Sequence, residues 1–159
     1  MLSAQYRGRV SAMPVVSYAS VSNTPPLMVV ACNPESYTCK LILRARAFSL
    51  SLLEREETNK LDRLATTHGG DVKDKLASVG FKHGRGTKLS VPVISGASAT
   101  IECSLKSRQK TGDHLLLVGL VRAAYATNAF SDFWDFGRYK PILYTGWKDG
   151  MTLFQGPYG

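Results

Sequence analysis

The sequence predicts a mainly β, α+β domain, and two observations carry that prediction. Short runs of β-branched and small apolar residues, bounded by turn formers, recur at both ends of the chain, which is how antiparallel strands read. Between them two or three helical patterns are inserted as a block; a doubly wound parallel sheet would need strict alternation, so a β-barrel or α+β arrangement fits better. The 159 residues suffice for one hydrophobic core, and no repeat, low-complexity tract or linker interrupts them, so 1–159 reads as a single domain.

Each element has its own signal. Val10 to Tyr18 and Leu27 to Cys32 read as strands joined by the turn formers Ser22-Asn23-Thr24-Pro25-Pro26. Asn33 suits an N-cap, Pro34 a first helical position and Glu35 the positive end of a helix dipole. With Tyr37, Leu41, Ala45 and Phe48 at helical spacing, a helix is expected from about Pro34 to Arg46. Phe48 to Leu53 alternates apolar with small polar residues, a half-buried strand. Glu54 to Thr67 is a charged helix with Leu61, Leu64 and Ala65 as its buried stripe, ended by Gly69-Gly70. A short helix from Val72 to Val79 stops at Gly80, and the basic, glycine-rich segment Phe81 to Lys88 reads as loop. Strands return at Leu89 to Ile94, Ala99 to Arg108 and His114 to Ala126, the last two joined by a turn at Lys110-Thr111-Gly112-Asp113. Ala129 to Phe136 suggests one helical turn, and Ile142 to Thr145 with Met151 to Phe154 a final hairpin around Lys148-Asp149-Gly150.

Composition narrows the class. Hydrophobic residues make up 44% and charged residues 20%, ordinary values for a globular chain. Twenty Lys and Arg against twelve Asp and Glu leave a formal charge of +8, which suits an anionic partner without choosing among nucleic acid, membrane surface and phosphorylated ligand. No apolar run approaches the roughly 18 residues of a membrane span, and Met1 to Val10 lacks the apolar stretch of a secretory signal. The expectation is a cytoplasmic protein. Cys32, Cys39 and Cys103 have no zinc-loop spacing and are expected as buried, reduced thiols.

Several chemistries are missing. There is no G-x-G-x-x-G fingerprint after a strand. Gly84-Arg85-Gly86-Thr87-Lys88 looks like a phosphate loop but lacks its Gly-Lys-[ST] order and glycine spacing. His-Glu-x-x-His, Gly-x-Ser-x-Gly and the kinase signatures are absent, and His68, His83 and His114 are too scattered to propose a metal cluster.

Five stretches occur in the order found in one known family. The first is Ala12-Met13-Pro14-Val15-Val16-Ser17-Tyr18-Ala19-Ser20-Val21-Ser22 followed by Pro25-Pro26-Leu27, with the turn Asn33-Pro34-Glu35-Ser36-Tyr37-Thr38 after it. Then come Phe48-Ser49-Leu50-Ser51-Leu52-Leu53, Gly70-Asp71-Val72-Lys73-Asp74-Lys75-Leu76, Gly112-Asp113-His114-Leu115-Leu116-Leu117-Val118-Gly119 and Pro141-Ile142-Leu143-Tyr144-Thr145-Gly146. Together these resemble the flavin reductase-like family, the FMN-binding split barrels that include NAD(P)H:flavin oxidoreductases and flavoredoxins. The resemblance implies a split β-barrel with a few peripheral helices, bound FMN (FAD as an alternative) and a homodimer with each flavin near the interface. This chain departs from the pattern at Thr24 for Asp, Ser51 for Asn and Leu76 for Phe. It also begins seven residues before Gly8, so either the first strand is expected to be shortened or the reading frame to begin late.

The candidate site residues make chemical sense beside that resemblance. A dianionic phosphate needs amides, hydroxyls and a cation, and a helix N-terminus offers aligned N–H groups. Asn33, Ser36, Thr38 and Lys40 gather at the expected helix start, while their plain reading is helix capping. Lys75 could neutralise phosphate or the reduced ring, or simply be solvated. The strand through Pro14, Val16, Ser17, Tyr18, Ala19 and Ser20 could lie against a flat ring or be an ordinary core strand. The resemblance implies that His114 contacts the nicotinamide and that no side-chain nucleophile or acid–base group is required, because hydride passes directly from NAD(P)H to flavin. Tyr144 and Trp147 could cover the ring, close a subunit interface or simply pack in the core, and Phe130, Phe133, Trp134 and Phe136 could meet a second subunit.

Two flavin readings stay open: a flavin reductase, serving a monooxygenase or another electron acceptor, and an electron carrier of flavoredoxin type that does not oxidise NAD(P)H itself. A basic nucleic-acid-binding β-barrel is a distant third, since the basic residues are spread along the chain without an aromatic-interleaved stripe.

Overall fold

A computed structural model describes residues 1–128 and Lys140, together with the strand backbone at 142–143 and 152–153. The expected helical turn at 129–136 and the aromatic residues Phe130, Phe133, Trp134, Phe136, Tyr144 and Trp147 lie outside the described residues.

Seven antiparallel strands form one sheet. They are β1 (Leu2–Tyr6), β2 (Arg9–Met13), β3 (Tyr18–Asn23), β4 (Pro26–Cys32), β5 (Ala47–Leu52), β8 (Ala99–Thr111) and β9 (His114–Ala126). Their order is β2-β1-β5-β8-β9-β4-β3, so β2 and β3, consecutive in sequence, stand at opposite edges. The four residues 14–17 connect those edges, and the sheet curls around its core while staying open there. Two short pairs accompany it: β6 (His83–Arg85) with β7 (Pro92–Ile94), and β10 (Ile142–Leu143) with β11 (Thr152–Leu153). Three helices, α1 (Tyr37–Ala45), α2 (Thr58–Thr66) and α3 (Lys75–Ser78), sit between strands as the predicted block, with a 3₁₀ turn at Arg55–Glu57 leading into α2.

Several boundaries differ from the sequence reading for identifiable reasons. The run 10–18 is split, because β2 ends at Met13 and β3 begins at Tyr18 on the far edge. Ahead of it, β1 pairs with β2 through the positive-φ turn at Arg7-Gly8 and with β5 on its other side. Helix α1 starts three residues later than expected. Asn33 Oδ1 accepts from Glu35 N at 2.8 Å and closes a local turn, which leaves Ser36 as the N-cap, accepting from Cys39 N at 3.1 Å. Ala65 is exposed, whereas Leu61 and Leu64 are buried as expected. The expected helix 72–79 shrinks to α3, capped by Asp74. Part of the expected loop 81–88 is strand β6, while the expected strand from Leu89 shortens to β7.

Strands β8 and β9 form one long hairpin, turning at Gly112-Asp113 with Thr111 opposite His114. Bulges at Glu102/Cys103 and Leu105/Ser107 coil it, as a curved sheet requires. Two cores result. Leu2, Val30, Ile42, Phe48, Leu50 and Leu117 fill the sheet's interior under α1. Val10, Ala12, Leu61, Leu64, Leu76 and Phe81 pack α2 and α3 against β2. All three cysteines are buried free thiols. Among the described residues no helix is long and apolar enough to cross a membrane.

Candidate functional site

A cavity of about 450 Å³ opens where α1, the end of β2 and the loops around α2 and α3 meet. One wall is apolar: Met13, Pro14, Val15 and Val16, the segment bridging the sheet's two edges. The facing wall is polar and comes from the start of α1, with Ser36, Tyr37 and Thr38, joined by Ser11 of β2. Thr67, His68 and Gly69 close a third side, and Lys75 lines the cavity from the first position of α3.

Local chemistry explains why these groups stay in place. Ser36 Oγ caps α1 and gives its own proton to Met13 Sδ at 3.3 Å, a weak acceptor that an anionic oxygen would displace. Thr38 is buried, and its hydroxyl shares a 2.9 Å hydrogen bond with Ser11 Oγ. Tyr37 is fixed by Arg9, whose guanidinium lies 5.4 Å from the ring centroid. Arg9 also donates to the carbonyls of Gly70 and Val72, at 2.6 and 3.1 Å, tying the loop to β2. Gly69 is required by close approach, since a Cβ there would stand 2.5 Å from Ser11 Oγ and 3.1 Å from Tyr37 Cδ1.

Lys75 is the buried cation of this cavity. It is only 6% exposed, and no carboxylate pairs with it among the described residues. Burial pushes its ammonium below the ordinary lysine range. A buried cation facing a cavity is stabilised by an anion entering that cavity. The N-terminus of α1 adds free amides and a positive dipole end on the same cavity. The residues present therefore fit a ligand with an anionic head group and a flat apolar body.

Of the site residues that the sequence suggests, Pro14, Val16, Ser36, Thr38 and Lys75 line this cavity together. Ser17, Tyr18, Ala19 and Ser20 run on from its apolar wall; Ser17 O accepts from Ala31 N at 2.9 Å, and Tyr18, Ala19 and Ser20 belong to edge strand β3. Asn33 closes its turn outside the lining, and Lys40 Nζ pairs with Glu35 at 3.0 Å on the exposed side of α1. His114 is at the hairpin tip, its Nδ1 2.7 Å from Asp113, and does not line the cavity. Ser51, which replaces the family's Asn, is buried, its Oγ without a hydrogen-bond partner among the described residues, and it is not part of the lining. Ser11, Tyr37, Thr67, His68 and Gly69 are lining residues that the sequence does not single out. Gly69-Gly70 is legible only as a helix stop.

The phosphate-loop lookalike has another use. Glu102 is fully buried, and its carboxylate accepts from Thr87 N (2.6 Å), Thr87 Oγ1 (2.8 Å), Lys88 N (3.0 Å) and Leu89 N (2.7 Å). The amides of that loop thus hold the protein's own carboxylate. Among the described residues no group of three or more metal-ligating side chains occurs.

An open antiparallel barrel with this cavity at its split defines the class of split-barrel flavin-binding folds. The particular assignment follows from comparison: the model for the flavin reductase-like domain matches residues 1–144, and the chain belongs to that family. A flavin reductase of Pseudomonas putida is 32% identical over 115 residues, covering 72% of this chain and 64% of that protein. The reductase subunit HsaB of a flavin-dependent monooxygenase from Rhodococcus jostii is 30% identical, covering 87% of this chain and 70% of that one. Among solved structures, an FMN-binding protein from Thermus thermophilus superposes with a TM-score of 0.81 at 30% identity, over 96% of this chain and 82% of that chain. The chain spans 56%, 64% and 32% of the length of three curated relatives it matches.

Proposed function

We propose that this protein binds FMN in the cavity beside α1 and serves as a flavin reductase, with NADH or NADPH as the hydride donor. The observation that carries the reading is Lys75, a buried cation without a carboxylate partner among the described residues, on the same cavity as the Ser36 cap and the Thr38 hydroxyl. Ser36, Thr38 and Lys75 would hold the 5′-phosphate, with the amides at the start of α1. Met13 to Val16 would lie against the ring, and the backbone and hydroxyls of Ser17 to Ser20 would face its polar edge. The flavin, when bound, supplies the capacity to accept a hydride. The protein's own part is to orient the ring, exclude water from one face and keep a cation near developing negative charge. No nucleophile or acid–base side chain is needed for that. His114 would approach the nicotinamide from the hairpin tip.

A second copy of the chain would complete the site on its open side. Val16 and Val21, 59% and 53% exposed, flank the β3 edge and suit such a contact. The relationship to a monooxygenase reductase subunit supports a monooxygenase as recipient of the reduced flavin.

Titration of the protein with FMN, FAD and riboflavin, followed by flavin fluorescence, tests the cavity assignment. FMN should bind at least about tenfold more tightly than riboflavin, the worth of one charge-assisted hydrogen bond to phosphate. Equal affinities would remove the phosphate site. Anaerobic mixing of the FMN complex with NADH or NADPH should then bleach the flavin at turnover rates. A tight FMN complex that neither nucleotide reduces would instead mark an electron carrier.

A further inference from the structure

Cys32 ends β4 and Cys39 lies in the first turn of α1, and their sulfur atoms are 2.9 Å apart inside the main core. That separation is within van der Waals contact and about 0.9 Å longer than a disulfide bond. Only six residues separate the two cysteines, among them Ser36, Tyr37 and Thr38, the polar wall of the cavity. We propose that Cys32 and Cys39 form a reversible disulfide that couples the oxidation state of the protein to ligand retention at the start of α1. The coupling half of this inference rests on the flavin site proposed above; the disulfide half does not.

The two thiols have different roles. The Cys32 S–H donates to Cys39 Sγ, which holds the Cys39 thiol below its ordinary range, and Arg108 and Lys40 add a smaller pull in the same direction. That donated bond, with burial, pushes the Cys32 thiol up. Cys39, in the first turn of α1 where the positive end of the helix dipole favours a thiolate, is the attacking sulfur and Cys32 the resolving one. With hydrogen peroxide as oxidant, Cys39 sulfur takes one peroxide oxygen to become a sulfenic acid, and the other oxygen leaves as water. Cys32 sulfur then displaces the sulfenic oxygen, forming the S–S bond and releasing a second water. Two thiols are oxidised and one peroxide is reduced to two waters. Both sulfurs are fully buried, so a small neutral oxidant reaches them more readily than a bulky reagent.

Closing the bond must draw the first turn of α1 toward the end of β4. Ser36 caps that turn through Cys39 N, so the shift acts directly on the cap hydroxyl and on Thr38. Cys103 is the internal control. It is equally buried, and burial pushes its thiol up to about 12, with no second thiol hydrogen-bonded to it.

The experiment treats the folded protein with hydrogen peroxide, quenches it, alkylates free thiols under denaturing conditions and measures mass before and after reduction. The expected product is a tryptic peptide spanning residues 10–40 that contains both cysteines and gains two alkyl groups only after reduction, while Cys103 is alkylated throughout. The FMN dissociation constant should rise roughly tenfold on oxidation, as for loss of one charge-assisted hydrogen bond, and recover with dithiothreitol. Cys32→Ala should abolish the response and Cys103→Ala should keep it. Peptide 10–40 that is alkylated fully without reduction, or found as sulfinic acid at Cys39, overturns the disulfide. A disulfide that leaves FMN affinity unchanged overturns the coupling. If the reduced protein binds no FMN, the flavin site fails while the mass result still decides the disulfide.

Discussion

Ser11 and Thr38 share a buried 2.9 Å hydrogen bond between hydroxyls that joins strand β2 to the first turn of α1. Each hydroxyl has the other as its protein partner, and both residues line the cavity. Thr38→Val keeps the shape and strands the Ser11 hydroxyl in a buried position. It should lower folding stability by about 1–3 kcal/mol, the cost of an orphaned buried polar group, measured by urea unfolding. FMN affinity should fall as well. Replacing both partners, Ser11→Ala with Thr38→Val, should recover part of the stability and none of the affinity.

Ser36→Ala removes an N-cap and should cost about 1 kcal/mol of stability. Combined with Thr38→Ala, it should weaken FMN retention far more than it weakens folding. Isothermal titration beside thermal melts separates the two effects, and an unchanged flavin dissociation constant would refute the phosphate assignment.

Lys75 predicts a pH dependence of defined sign. Its pKa in the folded, ligand-free protein is lowered from the ordinary value by burial, so the unfolded chain binds more protons between the two values. Stability of the flavin-free protein should therefore rise as pH climbs through that window toward about 10.5. Lys75→Met should flatten this slope, stabilise the flavin-free protein at neutral pH and weaken FMN binding by tenfold or more. Denaturant midpoints across pH 8 to 10.5, measured before the protein unfolds in alkali, read the slope.

Glu102 predicts the opposite limb. Burial opposes its charge, and the bonds from Leu89 N, Thr87 Oγ1, Lys88 N and Thr87 N outweigh that penalty, holding the carboxyl below its ordinary value. The stability it contributes is present above the unfolded value near 4.5 and is lost as pH falls through the lower folded value. Glu102→Gln should cost about 2–4 kcal/mol near neutrality, by weakening charge-assisted bonds and mispairing an amide. It should also flatten the acid side of the stability profile. Flavin affinity should change little, because the 87–89 loop lies outside the cavity lining.

Gly119 tests the sheet's interior. A Cβ at this position would sit 2.6 Å from Phe48 Cζ and 2.7 Å from Cys103 Cβ. Gly119→Ala should destabilise the protein by about 1–3 kcal/mol through overpacking, and Phe48→Leu in the same chain should return part of that loss in a double-mutant cycle.

The local part of this structure was legible because it is carried by patterns of neighbouring residues. Alternation in 48–53 foretold strand β5, although it is buried on both faces rather than half-buried, the strand reading of 99–108 foretold most of β8, and Leu61 and Leu64 foretold the buried face of α2. Ser36, Thr38 and Lys75 were legible as site candidates because hydroxyls at a helix start and a nearby lysine are what a phosphate needs, and the family resemblance ranked them. Other features were not legible. Asn33 and Ser36 are both good caps in sequence, and only the turn closed by Glu35 N made Ser36 the cap. The 10–18 run carries one continuous β pattern, yet its halves end up at opposite edges of the sheet. Ser11, Tyr37 and Gly69 became lining residues through contacts that cross 26 to 58 positions of chain, to which no short-range pattern responds. Residue patterns alone marked a strand-rich, basic chain with flavin reductase-like motifs in order. Tertiary structure alone decided which groups share a cavity, that the Gly84–Lys88 loop grips Glu102, and that Cys32 meets Cys39. The physical reason is that local propensity acts over a few residues, whereas pairing of distant strands and exclusion of water choose neighbours across the whole chain.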